Sequence, residues 1–193
     1  MTRPREFDID TALDRAMHVF WAKGYEAASL DDLCAAARLS RSSLYAAFGG
    51  KRDLLLQSLD RYAERGTARI AEMLAVPPLR AALSSLASVF IEQIVDGPGR
   101  TGCFIGNCAG ELARRDQTVA AHLRRALART EATFRAALHA AKARKELSPK
   151  ADIEALARFL TSSFQGLRLV GKVNPDRATL LDIAFVMLRC LDE

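Results

Sequence analysis

Between Asp8 and Gly50 the signals that start and stop helices come so close together that no element there can run beyond about four turns. Asp8 stands as an N-cap before Leu13, Ala16, Met17, Phe20 and Trp21, which recur at helical spacing until Gly24. Ser29, with Asp32 three residues on, resembles a capping box with a shortened acid, and Leu30, Leu33, Cys34 and Ala37 supply the apolar side of a helix of about two turns. Ser40 caps a third short helix that closes at Gly49-Gly50, where glycine takes the left-handed backbone that a helix end commonly needs. Residues 1–50 therefore read as three compact helices.

From Lys51 the punctuation thins. KRDLLLQSLDRYAERGTARIAEMLA predicts one long amphipathic helix stopping at Pro77-Pro78, and residues 79–96 predict another, ended by the loop GPGRTG. CFIGNCAGELA and residues 117–145 continue as helices, with a break near Arg115-Asp116. Ser148-Pro149 and Asn174-Pro175 each place a cap before a proline at a first helical position, so they are expected to open the last two helices, roughly 149–172 and 175–192. Half of the residues are hydrophobic, alanine and leucine are prominent and β-branched residues are sparse. The expected fold is all-α, about nine helices, divided into a domain over residues 1–50 and a larger one over residues 51–193.

Several classes of function are disfavoured. The start MTRPREFDIDTALDRA has no apolar stretch of signal-peptide length, and no run of roughly 18 uncharged apolar residues occurs, so a cytoplasmic protein with no membrane partner is expected. Cys34, Cys103, Cys108 and Cys190 are too few for a disulfide framework and are expected to be thiols. GPGRTG literally matches G-x-G-x-x-G, but a helix precedes it and no βαβ unit surrounds it. GGKRD lacks P-loop spacing, and Cys103, Cys108 and His122 have no standard zinc spacing. With no G-x-S-x-G and no paired carboxylates, neither enzyme, metal nor cofactor is expected, and a nucleotide-dependent enzyme is the remote alternative.

A net charge of +5 and a pI near 9.3 suggest an anionic partner, yet the charge is not where a partner is most easily placed. Residues 1–65 carry ten basic and ten acidic side chains, and much of the excess falls between Arg114 and Lys145, where a solvated helix face is the simpler reading. The third helix is more telling. At about 100° per residue, Leu44, Ala47 and Phe48 fall on one side, while Ser42 and Ala46 lie opposite, flanked by Ser43 and Tyr45. A helix that only covers a core would usually turn Lys or Glu outward; this one offers hydroxyls, a methyl and an aromatic ring. Arg38, Arg41, Lys51 and Arg52 surround it in a stretch with no acid, and Lys51 and Arg52 stand at a helix start whose free N–H groups suit a phosphate. A helix pair joined through Ala37-Arg38-Leu39-Ser40 matches a helix-turn-helix.

The run ASLDDLCAAARLSRSSLYAAFGGKRDLL, with Leu44, Tyr45, Phe48 and Lys51 at the spacing Leu-Tyr-x-x-Phe-x-x-Lys, resembles the helix-turn-helix of TetR-family transcriptional regulators, and the preceding FWAKGYEAAS matches the family's approach to the second helix. The resemblance covers roughly residues 10–55. It implies a dimeric repressor that binds palindromic double-stranded DNA and is released by a small-molecule, largely apolar effector. Tyr45 and Lys51 match phosphate-touching positions and Ser29 the hydroxyl that begins the second helix. Arg41, Ser42, Ser43 and Ala46 match positions of base-edge and nearby backbone contact, with Ser40 at the helix start. Arg41 is the candidate for guanine, through its bidentate geometry, or for a phosphate; Ala46 suits a thymine methyl. Arg38 departs from the family, which often has glycine there, so it either strains the turn or adds a phosphate contact.

For the rest of the chain the resemblance implies a four-helix seam with a second copy, built by the last two helices, with Leu156, Phe159, Leu160, Phe164, Leu167, Leu181, Ala184 and Leu188 as candidates against the alternative of intrachain packing. The helices from about 79 to 170 should enclose an apolar cavity, with Phe90, Cys103, Phe104, Asn107, Glu111, His122, Phe134, Gln165 and Arg168 as candidate lining, each of which has ordinary core or surface as its alternative. GCFIGNCAGELA resembles a segment found in one large group of these regulators, some of which sense electrophiles or oxidants through a cysteine here. Regulation through Cys103 is therefore an alternative reading.

Overall fold

The computed structural model describes residues 8–192; residues 1–7 and Glu193 lie outside the described residues, and with them the first seven residues of the start MTRPREFDIDTALDRA. The described residues form nine α-helices and no strand: α1 (Ile9–Lys23), α2 (Leu30–Ala37), α3 (Arg41–Phe48), α4 (Lys51–Leu74), α5 (Leu79–Asp96), α6 (Phe104–Leu112), α7 (Gln117–Ala143), α8 (Ile153–Val173) and α9 (Arg177–Leu188). None is long and apolar enough to cross a membrane.

The amino-terminal elements follow their caps. The Asp8 carboxylate accepts the Asp10 N–H at 3.0 Å, and α1 ends at Gly24. Ser29 and Asp32 form both halves of the capping box, and Ser40 caps α3 by accepting the Ser43 N–H at 3.1 Å. The last two helices start later than their prolines suggest. Asp152 and Asp176, not Ser148 and Asn174, are the caps, accepting the N–H groups of Ala155 at 3.0 Å and Thr179 at 2.8 Å. A carboxylate satisfies the free N–H groups and also meets the positive end of the helix dipole, an advantage serine and asparagine lack. Pro149 and Pro175 are left in the connecting turns.

Two apolar cores share α4. Its first turns place Leu54, Leu55 and Leu59 with Phe20, Leu33 and Leu44, and the same cluster takes in Phe104, Cys108 and Leu112 of α6 and Leu123 of α7. Its last turns place Ile70 and Leu74 in a second cluster with Leu83, Leu86, Phe134, Leu160, Phe164 and Leu180. Residue 50 is thus where the short helices stop, but the packing does not divide there. Three polar ties reinforce the join. The Glu111 carboxylate accepts the N–H groups of Tyr25 at 3.0 Å and Glu26 at 2.8 Å, fixing the α1–α2 turn to α6. The Trp21 indole donates to Gly102 O at 3.2 Å, and Arg52 grips Asp116 with two contacts of 2.7 Å.

Candidate nucleic-acid interface

The second and third helices meet through a turn that Arg38 closes in the left-handed region, at φ 57° and ψ 42°. Its neighbour Leu39 donates to Cys34 O at 3.0 Å, which satisfies a carbonyl the helix end leaves open. Arg38 thus adopts the conformation glycine would take more readily, and its side chain is exposed without a carboxylate partner among the described residues.

On α3, Leu44 and Phe48 are buried and Ala47 packs against the same core, while Arg41, Ser42, Tyr45 and Ala46 are exposed and Ser43 is half-buried. Tyr45 leaves 49% of its surface to solvent, a large fraction for an aromatic ring on so short a helix. The Ser40 hydroxyl lies 2.9 Å from that of Ser42 and 2.8 Å from that of Ser43, so the helix start presents a linked group of hydroxyls that can donate or accept. At the start of α2, the Ser29 hydroxyl donates to Asp32 at 2.8 Å, and Lys23 donates to the same carboxylate at 2.7 Å. Hydrogen bonds from Lys23 and then Ser29 hold the Asp32 carboxyl down at about 2.

The cations are distributed differently from the acid-free stretch of sequence. Arg41 is forked onto Asp31 of α2, with contacts of 2.8, 2.9 and 3.0 Å. Both side chains are mostly in solvent, so this pair is weak and easily exchanged. A pair so exposed leaves the Arg41 fork free to exchange Asp31 for another bidentate acceptor. Arg52 is committed elsewhere: its partner Asp116 also caps α7, accepting from Thr118 at 2.9 Å and Val119 at 3.0 Å. The Arg52 hydrogen bond, then the backbone donors, holds Asp116 at about 2. Lys51 rests with Nζ 4.5 Å from the centre of the Tyr25 ring, at an α4 start that has no side-chain cap. Arg38 and Lys51, on either side of α3, therefore have no acid partner among the described residues. Sequence spacing misses Asp31, Tyr25 and Asp116 because the angle between helices, not distance along the chain, brings them here.

Further along, a small cavity of about 40 Å³ is lined by Tyr62, Thr130, Phe164 and five of the nine candidates, Phe90, Cys103, Phe134, Gln165 and Arg168. The other four lie outside it. Phe104 is fully buried edge-on against Tyr62 with ring centres 5.6 Å apart. Asn107 donates to Thr101 O at 2.7 Å and accepts from Lys172 at 3.0 Å, Glu111 holds the α1–α2 turn, and His122 Nδ1 lies 3.0 Å from Asp60. These residues tie helices together, so their polar groups are occupied. Cys34, Cys103 and Cys108 are buried and unbridged. Burial, then the nearby Glu111 charge, pushes the Cys108 thiol up to about 12.

Of the seam candidates, Leu160, Phe164, Leu167, Ala184 and Leu188 are buried inside the chain, and Leu156 is half-buried against the same core. Phe164 stacks on Phe134 with centres 5.4 Å apart and meets Phe90 edge-on at 5.5 Å. Phe159 and Leu181 are exposed, and with them stand Val170, Val173, Phe185 and Val186, with Phe185 at 70% exposure. The side that looks outward is offset from the side with the largest apolar residues, because one chain's own core takes the richer stripe of α8 and α9.

The family model described as bacterial regulatory proteins, tetR family, matches residues 12–57, and that described as the tetracyclin repressor-like C-terminal domain matches residues 79–183. The chain is 35% identical over 194 residues to the uncharacterized HTH-type transcriptional regulator YezE of Bacillus subtilis (strain 168), covering 100% of each. It is 33% identical to the HTH-type transcriptional repressor ComR of Escherichia coli (strain K12), covering 99% of this chain and 92% of that one. Among solved structures, the TetR family transcriptional regulator CifR, a cysteine mutant complexed with a 26-bp double-strand operator, superposes with a TM-score of 0.85 at 32% identity, over 97% of this chain and 98% of that one.

Proposed function

The chain belongs to the TetR family of DNA-binding transcriptional regulators, and on that premise we propose that it is a cytoplasmic homodimeric repressor, without catalytic activity, that leaves a palindromic operator when a small molecule occupies its helical domain. The observation that carries this reading is the outward face of α3, where Ser42, Tyr45 and Ala46 are exposed beside Arg38 and Lys51 while Leu44 and Phe48 anchor the helix from behind. That face fits a major groove, with base edges met by Arg41, Ser42, Ser43 and Ala46 and phosphates by Tyr45, Lys51 and Arg38. Ser29 and Ser40 cap the starts of α2 and α3 with their hydroxyls, which supports a reading in which both helix starts face the DNA backbone.

Repression and operator binding are what the names of ComR and CifR say of those proteins. A seam through Phe159, Val170, Leu181 and Phe185 supports pairing, since a two-fold dimer can set two reading helices about one DNA turn apart. The cavity of about 40 Å³ is far below the roughly 300–1,000 Å³ of ligand sites, so in this reading the effector enters by widening it. The test is fluorescence anisotropy of the purified protein on the DNA upstream of its own gene, across salt. Sequence-selective retention with a steep salt slope is expected; equal binding to scrambled DNA sinks the proposal.

A further inference from the structure

Beside the small cavity lies a larger cleft of about 290 Å³, and the two share Tyr62, Gly66, Ile70, Phe90 and Arg168. Their charged lining is one-sided: Arg65, Arg69 and Arg168 face these spaces, and no aspartate or glutamate among the described residues does. Two of the three arginines have a protein acceptor. Arg65 is paired with Asp14 through contacts of 2.6 and 3.0 Å. Arg69 meets the Gln93 amide, which accepts at 2.9 and 3.3 Å when its oxygen is turned toward the guanidinium. Arg168 has no carboxylate partner among the described residues; its guanidinium lies over the Phe90 ring, 4.6 Å from the centre. A cation drawn partly out of water without an anion is costly, and one aromatic face offsets only part of that cost.

The neutral polar groups narrow the chemistry. The hydroxyls of Thr67, Thr130 and Thr161 donate to carbonyls of their own helices at 2.8, 3.2 and 2.8 Å, and Tyr62 Oη donates to Cys103 Sγ at 3.8 Å. Gln165, one turn from Arg168 on α8, makes no hydrogen bond among the described residues. The groups left for a ligand are thus a guanidinium fork and an adjacent amide, above apolar walls.

We propose that the effector is a small organic carboxylate with an apolar body, its head forked by Arg168 and met by Gln165, its body against Phe90, Ile70 and Tyr62. This deepens the effector reading above and rests on it. A planar two-oxygen head matches one guanidinium, whereas a phosphate would call for further donors that this lining does not free. A cleft near the lower end of ligand-site volumes favours a body of one ring or a short chain.

The test is calorimetric titration of the full-length protein, without DNA, with phenylacetate and octanoate, their uncharged amides, and phenyl phosphate. The carboxylates should bind at least ten-fold more tightly than the amides, a preference that disappears in Arg168→Gln and partly returns in Arg168→Lys. Thermal unfolding shows whether each variant folds, and the wild-type comparison of acid with amide stands without any variant. Equal binding of acid and amide, no binding by either carboxylate, tighter binding of phenyl phosphate, or an unchanged preference in a folded Arg168→Gln overturns the proposal. Operator titration separates the two readings: DNA recognition without a carboxylate preference removes this inference alone, and a carboxylate preference without operator recognition removes the regulator reading alone.

Discussion

The outward faces of α3 and of the α8–α9 pair depart from an ordinary protein surface in opposite directions. The α3 face is small and hydroxyl-bearing, with its aromatic ring half in solvent and cations on its flanks, whereas α8 and α9 show solvent Phe159, Leu181, Phe185 and Val186. The first suits a partner that is itself wet and charged, where hydrogen bonds are exchanged rather than gained and fit decides. The second suits a partner as apolar as itself, since exposed apolar area is favourable only when it is removed from water. One chain therefore carries two unpartnered faces that cannot substitute for each other.

The largest expected effect separates buried from exposed aromatics within the second face. Phe164 is 4% exposed between Phe90 and Phe134, and its loss to alanine should cost about 3–5 kcal/mol, with aspartate preventing folding altogether. Phe185→Asp, by contrast, should leave the helical content and the unfolding of the monomer intact while abolishing the dimer in sedimentation. If Phe185→Asp unfolds the chain, or leaves a dimer of unchanged mass, the face is not a seam and the comparison fails.

The next effect concerns the first face. Arg41→Ala should cost about 1–3 kcal/mol of operator binding and relax preference at one base pair, while Lys51→Ala should weaken all sequences alike and lower the salt slope by about one. Asp31→Ala sharpens the distinction, because it releases Arg41 from its 2.8 Å partner and removes a negative charge from beside the groove. Affinity for operator and for scrambled DNA should both rise, most at low salt. A fall instead would show that Asp31 orients Arg41 for reading.

What the sequence made legible follows the same contrast. The α3 face could be read because its roles lie along one short helix bounded by Ser40 and Gly49, so that a 3.6-residue period alone sorts Leu44 and Phe48 from Ser42, Tyr45 and Ala46. The α8–α9 face could not, since both sides of α8 are apolar and periodicity does not say which is covered by the same chain; Phe164 and Leu160 went to the core and Phe159 to the surface. The cavity was legible in part. Phe90, Cys103, Phe134, Gln165 and Arg168 line it, but Glu111 and His122, equally polar in the sequence, are engaged with the α1–α2 turn and with Asp60. Nothing in local spacing distinguishes a polar group aimed at a void from one aimed at a neighbouring helix.

A smaller effect belongs to Arg38, whose left-handed backbone costs an L-residue roughly 1–2 kcal/mol relative to the right-handed region. Arg38→Gly relieves that strain but also frees the unfolded chain, so a net gain of about 0.5–1 kcal/mol is expected. In a chain of 193 residues that is a rise of about 1–4 °C in Tm. The same substitution should lower the salt slope of operator binding by about one if the side chain meets a phosphate. A higher Tm with an unchanged slope would make Arg38 a strained turn residue only.

The smallest effect tests the join between the two regions. The Asp116 carboxyl is held at about 2, below its ordinary 3.8, by Arg52 and by the N–H groups of α7. A carboxyl with a depressed folded value contributes fully above the unfolded value and loses that contribution as the pH falls from about 4 to about 2. Asp116→Asn should therefore lower Tm slightly at pH 7 and make it fall less steeply on acidification than the wild type does, because the asparagine has no proton to take up. Since Arg52 stands in the second residue of α4, just behind Lys51, the released guanidinium becomes a third cation beside α3, and non-specific DNA affinity at neutral pH should rise by a small factor. A Tm profile parallel to that of the wild type would mean that the α4–α7 tie is already open in solution, and that the two regions are joined by Glu111, the Trp21 indole and apolar packing.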